Sequence, residues 1–153
     1  MSARESRAYT HLKCKTQTEV SGGEFRALSD PLASMQETVC VQCGDFFPLS
    51  EFAWSDTSEK ITDYYKRHGK SATDIDRFLC STPGLGFLAG AGFFLGVMFG
   101  VLLYFAIGGI AGFVVALILG LVGAVAGVVA REAVVSPKIL QRVCGDTDTR
   151  NLQ

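Results

Sequence analysis

The sequence predicts a membrane α-helical hairpin of two transmembrane helices carrying a small β-rich cytoplasmic module and one or two short helices. Three observations lead there. No charged residue occurs between Gly84 and Ala130, and a charge has no water to solvate it at the bilayer centre. The Gly108-Gly109 pair divides that stretch into two pieces of roughly 20 residues each, the length a helix needs to cross. Ahead of it, short β-favouring pieces alternate with turn residues over a segment holding three of the five cysteines.

The first ten residues are polar and are expected to be loose. The opening residues 1–7 lack the apolar core of a secretory signal, so the polar segment is expected to stay on the side of synthesis. Its thiols are then expected to be reduced. From residue 11 to 55, Gly22-Gly23, Asp30-Pro31, Gly44-Asp45 and Pro48 interrupt Val20, Phe25 to Leu28, Thr38-Val39 and Phe46-Phe47, each read as a β piece. A polar module this small is marginal on burial alone and needs an added source of stability. Residues 56–82 form a linker with two short helices. Asp56 and Glu59 have the spacing of a capping box, opening a helix through Ile61, Tyr64 and Tyr65 to His68, with Gly69 as its stop. Ser71 can cap a second, with Asp74 and Asp76 at its positive end and Phe78 and Leu79 toward the bilayer.

The hairpin occupies residues 83–132, with spans over Leu85–Ile107 and Ile110–Ala130. Residues 133–153 form a polar tail too short for a domain and are expected to lie along the membrane surface. A two-span hairpin returns both ends to one side, and the connecting turn carries no Lys or Arg. Counting basic residues therefore puts both termini in the cytoplasm, in an inner- or plasma-membrane type of bilayer.

Chemistry concentrates in the cysteines. His11 and Cys14 form one pair with two residues between its members, and Cys40 and Cys43 form another, followed by Gly44. Two intervening residues let a tight turn aim both side chains at one ion, and a glycine lets the backbone curl under the sulfur. One nitrogen and three sulfurs make a tetrahedral structural zinc set. His68 and Cys80 are the alternatives to His11 as fourth ligand. The competing reading is that the three cysteines are small buried hydrophobes. A redox pair at Cys40 and Cys43 lacks the βαβ setting of thioredoxin-like sites. Over about residues 11–50 the pattern resembles the zinc-ribbon and related zinc-knuckle families, which implies a structural zinc and contacts with other macromolecules. With 14 basic against 15 acidic residues, no nucleic-acid-attracting field is expected. Proteins are the expected partners, with Phe25, Phe46, Phe47, Phe52 and Trp54 divided between core and contact surface.

The spans carry a second pattern. On a helical wheel Gly86, Gly90, Gly92, Gly96 and Gly100 share one arc of the first span. Gly109, Gly112, Ala116, Gly120, Gly123, Gly127 and Ala130 recur every three or four residues in the second. Such seams let helix backbones approach closely in lipid. The repeat resembles the glycine-zipper two-span hairpins of bacterial membrane proteins. Its broad arc on the first span implies contact with copies of itself or with other subunits. The layout is similar to the proteolipid ring subunit of rotary ATPases but has no carboxylate in the second span.

Cys80 is a candidate for burial or acylation beside the membrane, and Cys144 for the same or for simple exposure. There is no phosphate loop, Ser-His-Asp arrangement or metalloprotease motif, so no enzymatic activity and no small-molecule substrate are expected. The expected function is a small structural or scaffolding subunit of a membrane assembly. The alternative is a homo-oligomeric pore or transport component regulated by the module.

Overall fold

A computed structural model of the chain describes residues 4–107 and 109–152. Gly108 of the expected connecting turn lies outside the described residues, as do the first three residues of the expected loose N-terminus and Gln153 of the tail. The chain divides into two compact units, Met1–Arg77 with Ile139–Gln153, and Phe78–Lys138.

The first unit contains a small β region. Strands β1 (Ser6–His11) and β2 (Gln17–Ser21) form an antiparallel hairpin, and β5 (Phe52–Trp54) joins the other edge of β1 in the order β2-β1-β5. Strands β3 (Glu37–Cys40) and β4 (Asp45–Pro48) form a separate antiparallel pair. On β1 the side chains alternate strictly, with Arg7, Tyr9 and His11 turned inward. The core gathers Tyr9, Phe25, Phe52, Trp54, Ile61 and Tyr64, each no more than 1 % exposed. Trp54 meets Phe25 and Tyr64 edge-on at 6.3 and 5.8 Å, a favoured arrangement of aromatic quadrupoles.

Several local expectations are corrected here. Residues 6–10 are ordered strand rather than loose chain, because Arg7 occupies an inward position that a polar residue disguises. Its guanidinium lies 4.1 Å from the Trp54 ring and donates to Asp56 at 2.8 Å. Phe25 to Leu28 lies in helix α1 (Gly22–Ser29), not a strand; Phe25 and Leu28, three apart, bury one helical face, and packing overrides β propensity. Asp56 caps nothing. It accepts from Arg7 and Arg4 while the chain turns back, and Lys60 bridges to Ala53 before helix α2 (Ile61–His68) begins. In helix α3 (Asp74–Cys80) the capping residue is Thr73 rather than Ser71. Thr73 N–H and hydroxyl donate to the Asp76 carboxylate at 2.9 and 2.8 Å, and Thr73 Oγ1 accepts from Asp76 N–H at 3.3 Å. Ser71 donates instead to the Val143 carbonyl.

The C-terminal tail, expected along the membrane surface, packs into this unit instead. Ile139, Leu140 and Leu152 are buried, and Ser29 Oγ donates to Thr149 Oγ1 at 3.1 Å. The amphipathic spacing of Ile139 and Leu140 on helix α6 (Ser136–Cys144) supplies the apolar face. Arg142 on α6 pairs with Asp76. Thr73 and then Arg142 hold the Asp76 carboxyl below the ordinary carboxylate range. Asp76→Ala is therefore expected to lower stability of this unit by about 2 kcal/mol near neutral pH through loss of the cap and a charged hydrogen bond. A folded value below the unfolded one means that unfolding takes up a proton in acid. The wild-type advantage is thus full above about pH 5 and disappears as pH falls through the folded value, below about pH 4. Urea titrations across that range check it.

The second unit contains two long apolar helices, α4 (Thr82–Ile107) and α5 (Gly109–Ala130). At 1.5 Å per residue their 26 and 22 residues are about 39 and 33 Å long, against roughly 30 Å of bilayer hydrocarbon. Both are long and apolar enough to span a membrane, and only 6 % and 11 % of their most apolar windows are buried. Helix α4 starts earlier than Leu85 because Pro83 is tolerated in a first turn, where its missing N–H has no helical partner.

The pair runs antiparallel at close approach. A Cβ on Gly92 would fall on the Gly123 carbonyl oxygen, one on Gly123 on the Gly92 carbonyl, and one on Gly96 on the Leu119 carbonyl. Gly100 lies against Ala116, Gly112 against Tyr104, Gly120 against Phe93 and Val97, and Gly127 against the Leu88 carbonyl. Gly86 and Gly90 face open space. Gly109 begins α5. Gly84, not singled out by spacing, sits where a Cβ would collide with the Phe78 carbonyl. Near the open end, Arg131 donates to the carbonyls of Leu79 at 3.0 Å and Ser81 at 3.3 Å. A five-residue π-turn (Arg131–Val135) then leads from α5 into α6.

Candidate metal centre

The site stands at the tips of two β-hairpins. His11 ends β1 and Cys14 lies in the turn to β2, while Cys40 ends β3 and Cys43 lies in the turn to β4. Both tips share one turn hydrogen bond, from the residue after the second donor back to the first donor's carbonyl. Lys15 N–H donates to the His11 carbonyl at 2.8 Å, and Gly44 N–H donates to the Cys40 carbonyl at 2.9 Å. The residue after each second donor is left-handed, with φ of 61° at Lys15 and 69° at Gly44. The first tip thus achieves without glycine what the second does with it. Because a left-handed conformation disfavours a side chain by about 1–2 kcal/mol, Lys15→Gly is expected to raise the urea midpoint, by a gain of about 1 kcal/mol. Gly44→Ala is expected to lower it by a similar amount.

The four donor atoms lie within 4.8 Å of one another. Cys14 Sγ is 3.3 Å from His11 Nδ1 and 3.5 Å from Cys40 Sγ, and Cys43 Sγ is 3.7 Å from His11 Nδ1. A tetrahedron with metal–sulfur bonds of about 2.3 Å has edges of about 3.8 Å, so the cluster is of the size that holds one ion. The Cys14–Cys40 sulfur separation is far beyond a covalent bond of roughly 2.05 Å, and none of the five cysteines is in a disulfide. This His/Cys3 group could hold a metal ion. His68 lies tilted against the Tyr64 ring at 4.6 Å instead, and Cys80 belongs to the other unit, so neither alternative joins the cluster. Cys144 is half-buried, its thiol 3.7 Å from the His68 carbonyl.

The electrostatics favour a cation. Hydrogen bonds from Thr16, with smaller help from Cys40 and against burial, bring the Cys14 thiol down to about 6. Cys43, hydrogen-bonded to Cys40, desolvated and beside Cys14, is pushed up to about 11. One thiolate therefore forms readily, while the next is resisted by its hydrogen bond to Cys40, by desolvation and, least, by the negative charge beside it. A divalent ion removes that repulsion, since every thiol ligand must lose its proton to bind. Cys40 and His11 are buried, Cys14 is half-buried and Cys43 is exposed, so solvent reaches the site from the Cys43 side.

His11 is held on every side. Its ring stacks on Phe52 at 4.8 Å and lies 4.7 Å from Phe47. Its Nε2 is 3.3 Å from Glu51 Oε2, while Lys13 Nζ donates to Glu51 Oε1 at 2.9 Å. Lys13 first and His11 second hold the Glu51 carboxyl below its ordinary range. No sequence spacing singles out Glu51; the register that sets His11 opposite Phe52 brings its neighbour to the ring. Of the aromatic residues divided between core and contact surface, Phe25, Phe52 and Trp54 are core, Phe47 is half-buried against His11, and Phe46 is 65 % exposed.

Compared with protein-family models, with curated proteins and with solved structures, the chain matches none of them.

Proposed function

We propose that this chain is a small integral-membrane scaffolding subunit whose two apolar helices cross the bilayer as a hairpin and whose zinc-stabilised β module binds other proteins on the cytoplasmic side. The observation that carries the reading is the convergence of His11, Cys14, Cys40 and Cys43 at two matching hairpin tips. Four protein donors fill a tetrahedron and leave no position for a reacting water, the hallmark of a structural zinc site. Two knuckled hairpins with a further strand also suit the zinc-ribbon likeness of residues 11–50. Three sulfurs and one imidazole favour zinc over magnesium or calcium, which prefer oxygen.

Membrane insertion is supported by the exposure of Phe87, Phe94, Phe99, Phe105, Ile110 and Leu121 along helices without a charge. So large an apolar surface is stable in lipid and unstable in water. The basic residues all lie outside the uncharged stretch, which supports cytoplasmic termini. Gly86 and Gly90, unused between α4 and α5, leave a small-residue surface on α4 for a second copy or another subunit.

The native mass of the detergent-extracted particle, taken with elemental metal analysis, tests the reading. The expected result is an assembly larger than one 16.4 kDa chain, containing one zinc per chain. A lone chain with neither zinc nor partner, or a protein soluble without detergent, overturns it.

A further inference from the structure

The donor set leaves one question of chemistry open. A neutral imidazole offers a lone pair on one nitrogen only, the other carrying the proton. His11 must therefore present Nδ1 bare to the sulfurs and keep the proton on Nε2 if it is to ligate from where it stands. Left free in water, imidazole exchanges between the two tautomers and rotates; a site that fixes the choice in advance does not lose that freedom on binding.

Glu51 is placed to fix it. Its Oε2 is 3.3 Å from Nε2, on the opposite side of the ring from Cys14 Sγ, which is 3.3 Å from Nδ1. The carboxylate is itself anchored: Glu51 closes the short 3-10 turn Leu49–Glu51, its backbone carbonyl accepts from Leu12 N–H at 2.8 Å, and Lys13 holds its other oxygen. The same residue thus clasps the first knuckle through its main chain and the His11 ring through its side chain. An ionised carboxylate can only accept, so it stabilises the tautomer with Nε2 protonated and leaves Nδ1 as the ligand.

We propose that Glu51 is a positioning residue of the metal centre, which accepts the Nε2 proton of His11 in a hydrogen bond and so commits the ring to metal ligation through Nδ1. The proposal rests on the metal reading above and adds which nitrogen binds and what selects it. Lys13 steadies the carboxylate from the solvent side, where its own charge is largely screened.

The test uses the full chain in detergent, with zinc affinity measured by competition against a chromophoric chelator. Glu51→Ala is expected to weaken zinc binding about 10- to 100-fold. Glu51→Gln, whose amide oxygen still accepts from Nε2, is expected to recover most of that loss, and Lys13→Ala to change affinity by less than about threefold. A merely structural role would not select a nitrogen, so the second readout is NMR of cadmium-113-loaded, nitrogen-15-labelled wild type. Cadmium coupling is expected at His11 Nδ1, with Nε2 protonated. Coupling at Nε2, or wild-type zinc affinity in Glu51→Ala, overturns the role of Glu51 while leaving the metal centre standing. A wild-type chain that takes up no zinc overturns both.

Discussion

Cys40→Ser is expected to abolish stoichiometric zinc binding and to unfold the β module while leaving the two long helices helical. Cys40 is wholly buried, ends β3, and belongs at once to the donor set and to the apolar core that includes Leu49 and Phe52. Serine removes a soft ligand and puts a hydroxyl among apolar neighbours, so the loss combines a metal bond with an unfavourable polar burial. Structural zinc contributes on the order of 10 kcal/mol to modules of this kind, comparable with the whole stability of a small domain. Metal content should fall from about one per chain toward zero, and the near-ultraviolet signal of Trp54, buried against Phe25 and Tyr64, should collapse. Most helical signal in detergent should survive, because α4 and α5 belong to a separate unit. Retention of one tightly bound zinc and of the Trp54 signal would exclude Cys40 as a ligand.

Leucine at Gly96 or Gly123 should do the reverse, separating α4 from α5 while zinc stays bound. At both positions a Cβ would lie closer than 3.0 Å to backbone of the opposing helix, and a backbone carbonyl cannot swing aside as a side chain can. The helices must part, and the dispersion contacts along the seam weaken together. A loss of about 3 kcal/mol or more is expected from overpacking of this severity. Leucine at Gly86 meets open space within the hairpin, so it controls for the α4–α5 pairing while leaving contact between subunits open to change. Thermal unfolding in detergent, with cysteines introduced across the seam to report proximity by crosslinking, distinguishes the cases. Crosslinking across the α4–α5 seam that is equal in the Gly86, Gly96 and Gly123 variants would show that close approach contributes nothing.

How much of this was legible in the residues differs between the two units. The uncharged run and its break identify two long apolar helices, because local hydropathy alone decides whether a segment can tolerate water. The His/Cys3 set was equally readable: two residues between donors is a local geometric requirement, and the tips that meet it are local turns. Strand β1 was not readable, since Arg7 interrupts the apolar alternation and only its stacking on Trp54 together with its ion pair with Asp56 makes an inward arginine tolerable. The C-terminal segment looked like a tail because its few apolar residues acquire meaning only in the core of a unit formed by distant chain, where Thr149 meets Ser29 across 120 residues.

By itself, then, the sequence determined where lipid-compatible helices lie and which side chains can converge on an ion, because charge, length and short spacing act within a few residues of the chain. The tertiary structure alone decided that Glu51 stands behind His11, that Gly92 faces Gly123 while Gly86 faces nothing, and that the C-terminus returns to the β module. Those relations depend on strand register and helix rotation, which are set by packing between segments distant in sequence.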